Sequence, residues 1–343
     1  MTYEWTMATE DAVASVNNWR YFNNPEDGAR ATKGWFKVIA PDDDGDDNTF
    51  KDYSGTFAGT DKAGDAYDEN ERWYYANGDG ELYHSQIKKI NGKYYGFAEE
   101  GSGKAGAMLT GLCALVVNDE GVIEKTLIRN MDSDDLDDVM DGEYDDYDFD
   151  LYYFGNNEDE DGAMKTGATT INLDGESYSF YFSKTGGAEG KGRGIHGIDD
   201  DKYIYKHGMK LKADSDEKYI VVYASGDTGS DTAVVEEIDR SKLRTEYAKD
   251  AVGNNDDGDT IKYVGTMSSE YKVLNTSGAI VKNKTAATDG DDWYFYIDNK
   301  QIKMYTNNKD LDDVTDGTNT LKTKWDDVEI ANGVDGLDYA IVD

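Results

Sequence analysis

The side chains best placed by type and spacing to do chemistry in this chain are carboxylates. In Asn157-Glu158-Asp159-Glu160-Asp161-Gly162, the ligand types Asn157, Asp159 and Asp161 alternate before a glycine, the opening order of a calcium-binding EF-hand loop. The glutamate that should close such a loop is replaced by Ala168 and no flanking helices are expected, so the same residues also read as a turn. Pro41-Asp42-Asp43-Asp44-Gly45-Asp46-Asp47-Asn48 gathers acid around one glycine, with Asp42, Asp44 and Asp46 as candidate ligands but no standard ligand order. It reads either as a hard-cation site or as a solvated acidic loop. Calcium is thus the one cofactor that the residues suggest.

Other reactive groups are sparse. The three histidines, His84, His196 and His207, lack the spacing of a zinc site or a catalytic triad, and His196 and His207 are expected to be solvated in turns and strands. Carboxylates this common give a glycosidase pair no specificity. Gly190-Lys191-Gly192-Arg193-Gly194 lacks the closing Lys-Ser/Thr of a phosphate loop and reads as a turn. Cys113, the only cysteine, lies within Leu112-Cys113-Ala114-Leu115-Val116-Val117 and reads as a small buried hydrophobe. The chain is therefore read as not an enzyme.

Composition narrows the partners. Net charge is −37 over 343 residues, which disfavours nucleic acid and anionic membrane surfaces and leaves cationic, neutral-sugar or metal-bridged ligands. The acid also serves to keep a tyrosine-rich chain soluble. With 26 Tyr, 37 Gly and 2 Pro, the sequence suits short strands joined by positive-φ turns, and its 12% aromatic content opposes disorder. No apolar run reaches the length of a membrane span, and Met1-Thr2-Tyr3-Glu4-Trp5-Thr6 lacks the marks of a signal peptide. The expectation is a segment of a larger secreted protein, or export by another route.

The elements that must position these groups follow an aromatic-then-glycine unit. Residues 20–35 align with 153–168 after one insertion, and weaker copies begin at Trp73-Tyr74-Tyr75, Tyr94-Tyr95-Gly96-Phe97, Tyr178, Tyr203-Ile204-Tyr205, Tyr271 and Trp293-Tyr294-Phe295-Tyr296. Arg72–Tyr75 is predicted as a strand, Asn77–Gly80 as a turn, and Ile87–Phe97 as a hairpin turning at Asn91-Gly92. Tyr75 and Phe97 lie 22 residues apart, as do Val273 and Phe295, and Phe182 and Tyr205 lie 23 apart, which is solenoid spacing. Tyr219–Tyr223 is predicted as a strand and Thr232–Tyr247 as a helix. A weak echo pairs 135–142 with 310–317. The expected organisation is N-terminal repeats over 1–117 with an inserted loop at 41–70, an acidic insertion at 118–150, central hairpin repeats at 151–214, and an irregular β region at 215–343.

The segments Ile87–Phe97, Tyr152-Tyr153-Phe154 and Gly162-Ala163-Met164-Lys165-Thr166-Gly167 resemble cell-wall-binding repeats, the family of choline-binding, glucan-binding and clostridial-toxin-type modules. The resemblance spans about residues 17–39 and 72–211, and partly 271–305. It implies non-catalytic β-hairpins stacked into a β-solenoid on Gram-positive surface proteins or phage lysins. It also implies an aromatic cage for a quaternary ammonium, with Trp35 after Gly34 at one position and Trp73 with Tyr75 at another; ordinary core packing explains the same three residues. Elsewhere the cage tryptophan is missing: Gly111, Gly167 and Gly194 are followed by Leu112, Ala168 and Ile195.

The resulting expectation is an all-β, elongated β-solenoid of stacked hairpins with acidic insertions. Its function would be to bind cell-wall polymer or carbohydrate at the cell surface, or to space another domain from the envelope. The alternative is a structural or receptor-binding component of a phage or surface appendage, possible partners being a larger parent protein or further copies of itself.

Overall fold

The structure is a computed structural model that describes residues 4–7, 19–22, 28–39, 71–100, 105–155, 162–186, 190–230, 232–311 and 314. The fold is nearly all β, built of short antiparallel pairs that segregate into two units. Unit 1 comprises residues 1–178 and 182–194, and unit 2 residues 179–181 and 195–343.

Unit 1 opens with β1 (Glu4–Met7), β2 (Trp19–Phe22), β3 (Gly34–Ile39) and β4 (Glu71–Ala76), paired β1 with β2 and β3 with β4. Strands β5 (Gln86–Ile90) and β6 (Lys93–Phe97) form the predicted hairpin. Asn91 and Gly92 both take positive φ, 48° and 89°, as a type I′ turn demands. The predicted turn after β4 is also present: the Asn77 side-chain oxygen accepts from the backbone N–H groups of Asp79 and Glu81, each at 2.9 Å. Strands β7 (Leu112–Val117), β8 (Ile123–Ile128) and β9 (Asp150–Tyr153) form a sheet centred on β7, whose apolar run is buried. The stretch 118–150, expected as an acidic insertion, thus holds β8 and also α1 (Ser133–Met140). Asp132 and Asp135 cap α1 reciprocally, while Leu136 and Val139 seat it. Strand β10 (Gly167–Leu173) follows, and then β11 (Glu176–Phe182), of which Ser179–Tyr181 are counted in unit 2. The cores of unit 1 gather Tyr21, Phe36 and Tyr74 in one cluster, and Leu109, Cys113, Leu115 and Phe154 in another.

In unit 2, β12 (Gly197–Asp199) pairs with β13 (Tyr203–Lys206), which pairs with β14 (Met209–Lys210). The predicted strand at 219–223 is found as β15 (Tyr219–Ser225), flanked by β16 (Val234–Ile238) and a later strand. The helix expected over 232–247 is corrected. Adjacent β-branched Val234 and Val235 join the sheet instead, and helical turns begin only at α2 (Arg240–Lys242), where the Asp239 side chain accepts from Ser241 N–H at 2.7 Å. A π turn over Leu243–Tyr247 completes the segment.

A five-stranded sheet closes the unit. It is built from β17 (Lys249–Asn254), β18 (Thr260–Val264), β20 (Lys284–Thr288), β21 (Tyr294–Asp298) and β22 (Gln301–Thr306), in the order β17-β18-β22-β21-β20. β19 (Tyr271–Asn275) is the second partner of β15. Val221, Leu243, Val273, Phe295 and Tyr305 share the main core. Beside it the Asp289 carboxylate, fully removed from solvent, accepts from Arg244 Nη2 and from the Tyr305 hydroxyl at Oδ2. Its Oδ1 accepts from the backbone of Asp291 at 2.9 Å and of Trp293 at 3.3 Å. Arg240 donates to the Asp289 carbonyl at 3.0 Å. Every acceptor on this buried acid is therefore used, as burial of a charge requires.

Of the echo between 135–142 and 310–317, the first copy is helical and most of the second lies outside the described residues. Among the described residues, no helix is long and apolar enough to cross a membrane.

Candidate functional site

Alternation along β3 and β4 sorts their aromatics onto two faces. Trp35 pairs with Tyr75, Phe36 with Tyr74 and Lys37 with Trp73, so Trp35, Tyr75 and Trp73 share a face while Phe36 and Tyr74 share the other. The second face is core, where Phe36 stacks on Tyr21 at 5.3 Å and on Tyr74 at 5.8 Å. The first face meets the β5–β6 hairpin, which brings Tyr95 to 4.8 Å and Phe97 to 5.7 Å from the Trp35 ring.

The outcome is an aromatic box centred on Trp35. Tyr75 stands at 80° to it with centroids 5.1 Å apart, Trp73 at 83° and 6.4 Å, and Tyr95 at 64°. Phe97, fully buried, lies nearly parallel beneath Trp35. Tyr83 stacks on Tyr75 at 5.1 Å and carries the Lys88 ammonium 5.2 Å from its centroid. Trp35, Trp73, Tyr75 and Tyr95 are each half-buried. The Trp35–Trp73 corner is the widest of the perpendicular pairs. Converging π faces attract a desolvated cation without needing a hydrogen bond from it.

All three expected cage residues are therefore brought together. The sequence reading missed Tyr95, Tyr83 and Phe97 as members of the group. The signal was available, since Tyr75 and Phe97 are 22 residues apart and Tyr95 sits on the same hairpin face as Phe97.

Several other tyrosine faces hold lysines from the chain itself. In unit 1, Lys89 and Lys191 lie 5.7 and 5.3 Å from the Tyr94 centroid, and Lys125 lies 4.0 Å from Tyr147. In unit 2, Lys202 and Lys210 lie 4.7 and 5.1 Å from Tyr203.

The candidate metal ligands Asp42, Asp44, Asp46, Asn157, Asp159 and Asp161 lie outside the described residues. Cys113 is wholly buried, as expected, and burial pushes its thiol up to about 11, away from a reactive thiolate. The expectation that His196 and His207 are solvated is corrected. Both are half-buried with ring centroids 5.1 Å apart, and burial, His196 and Lys206 together hold His207 down to about 3. The Gly190–Gly194 segment is a turn whose amides are used internally: Gly190 N–H donates to Gly186 and Gly192 N–H to Ser183, both at 2.9 Å. Gly192 is required there, because a Cβ would lie 2.4 Å from Met164 Sδ at a φ of 88°.

No family model matches the chain, and no curated protein matches it significantly. Similar solved structures include CbpF in complex with ipratropium, at TM-score 0.35 and 18% identity over 88% of this chain. They also include the modular Cpl-1 endolysin complexed with a peptidoglycan analogue, at TM-score 0.23 and 15% identity over 62%. Choline binding protein F from Streptococcus pneumoniae, in a second crystal form, is similar at TM-score 0.19 and 15% identity over 83%. The chain spans 59% and 38% of the length of the first two and 74% of the third. Several of the similar structures are thus choline-binding proteins or an endolysin complexed with choline.

Proposed function

We propose that this chain is a non-catalytic cell-surface module that holds a cell-wall polymer through a quaternary-ammonium substituent seated in the aromatic box. One observation carries the reading: Trp73, Tyr75 and Tyr95, each only partly buried, all stand steeply to Trp35, at 64° to 83°. A flat sugar needs one ring as a platform, whereas a near-spherical cation is held by several faces at once. The chain's net charge of −37 favours cationic ligands in the same sense.

The reading includes hairpins stacked into an elongated solenoid, in keeping with the 22-residue spacing, and an extracellular setting in which the chain either binds the envelope or spaces another domain from it. Retention of the full chain on choline-derivatised resin and on purified wall polymer tests it. Wild type is expected to be retained and released by free choline, while Trp35→Ala and Trp73→Ala flow through. Flow-through of the wild type on both supports would leave only the spacer role.

A further inference from the structure

We infer that Lys88 is a built-in competitor of the aromatic box: its ammonium, tethered beside the box, weakens the hold on a ligand cation. The inference rests on the proposed function and names the residue that sets how tightly that site holds its ligand. Its placement follows from the β5–β6 hairpin. Lys88 is directly opposed to Tyr95 across the two strands, and Gln86 to Phe97. Cross-strand partners project from one face, so Lys88 leaves the hairpin on the face that brings Tyr95 and Phe97 to Trp35.

The half-buried Lys88 side chain ends with its ammonium 5.2 Å from the Tyr83 centroid. Tyr83 is itself tied to the box at three points. Its backbone N–H donates to the Tyr75 carbonyl at 3.0 Å, its ring stacks within 9° of parallel on Tyr75, and it meets Phe97 at 5.7 Å and 66°. The charge of Lys88 therefore rests on a ring that touches two members of the box. No acid answers that charge: among the described residues Lys88 has neither an ion pair nor a hydrogen bond. The chain holds 72 acidic residues against 35 Lys and Arg, so the gap is not for want of carboxylates.

An incoming cation meets this ammonium in surroundings less polar than water, where like charges repel more strongly. It also seeks the same interaction with π faces that Lys88 already enjoys on Tyr83. Either Lys88 swings away and gives up its ring, or the ligand binds against the repulsion; both weaken the complex. A lysine that only supported the fold of the hairpin would act in the opposite direction, since its removal would loosen the box. The sign of the effect thus separates the two roles.

Isothermal titration of the full chain with choline chloride tests the inference. Lys88→Gln and Lys88→Met are expected to bind choline about three- to tenfold more tightly than wild type in dilute buffer. Lys88→Arg keeps the charge and should bind no more tightly than wild type. In about 1 M sodium chloride, where the screening length falls to about 3 Å, the advantage of the neutral variants should shrink below about twofold. Lys37, which pairs with Trp73 on the opposite wall, is present in every variant, so the comparison isolates Lys88. Equal or weaker binding by both neutral variants overturns the inference and leaves the box standing. Tightening in Lys88→Arg to match Lys88→Gln also overturns it, as does an advantage that salt leaves untouched. Binding by the neutral variants but not by wild type would support it, with Lys88 closing the box outright. Silence from wild type and both neutral variants would sink the box itself, and this inference with it.

Discussion

Replacing Arg244 with methionine removes a charge from a buried pair while keeping much of the side-chain volume. In unit 2 Arg244 donates to Asp289, to Asp291 at 3.1 Å and through Nε to the Tyr305 hydroxyl at 2.6 Å, while its own side chain is 18% exposed. Asp289 is 0% exposed, so Arg244→Met strands a carboxylate that keeps only Tyr305, Arg240 at 3.6 Å and two backbone donors. Breaking a buried pair from one side costs about 3–5 kcal/mol. Asp289→Asn is expected to cost less, about 1–3 kcal/mol, because Arg244 retains the exposed Asp291 and an amide oxygen still accepts from the turn. The double variant should therefore be more stable than the sum of the two losses predicts, with a coupling of about 1–3 kcal/mol. Urea melts followed by circular dichroism measure the set, and amide exchange on β20, β21 and β22 locates the loss in this sheet. An Arg244→Met cost below about 1 kcal/mol at unchanged m-value would refute the view that Arg244 neutralises Asp289.

Three further outcomes are expected. Gly111→Ala should destabilise unit 1 by more than about 2 kcal/mol in the same melts, because φ is 72° and a Cβ would sit 2.3 Å from Asn130 Oδ1 and 2.8 Å from Asn130 Cα. Burial pushes the Asp150 carboxyl up to about 6 in spite of Arg193, whose Nε lies 2.6 Å away. The folded state then binds this proton more tightly than the unfolded one, so its contribution is full below about pH 4 and falls as pH rises to 6. Wild type should lose on the order of 1–2 kcal/mol relative to Asp150→Asn across that window, and parallel pH profiles would contradict the assignment. Choline should change the tryptophan emission of wild type saturably, and Tyr95→Ala should weaken that response at least about fivefold, since one wall of the box is lost.

Local chemistry made much of unit 1 legible. The Asn91-Gly92 turn, the Arg72–Tyr75 strand and the buried Cys113 each follow from a few neighbouring residues, whose preferences agree with their surroundings. The grouping of Trp35, Trp73 and Tyr75 was legible only through the family resemblance, and the approach of Tyr95 and Tyr83 was not, because membership depends on which hairpin packs against the β3–β4 face. The segment 232–247 misled for a related reason. Its spaced apolar residues suit a helix, but Val234 and Val235 had a waiting partner in β15, and pairing across the sheet outweighed local preference. The histidine contact likewise depends on residues eleven apart meeting across a turn, which periodicity does not encode.

The lysines resting on Tyr94, Tyr147 and Tyr203, outside the aromatic box, bear on valency. A ring face already holding an ammonium repels a second cation, so these repeats are filled from within and add no stations for a cationic ligand. On the proposed function, with one such box among the described residues, a chain gains nothing from the multiplicity of a polymer unless several chains are held together. Its grip on an envelope would then scale with how many copies are displayed, and not with how many repeats each copy contains.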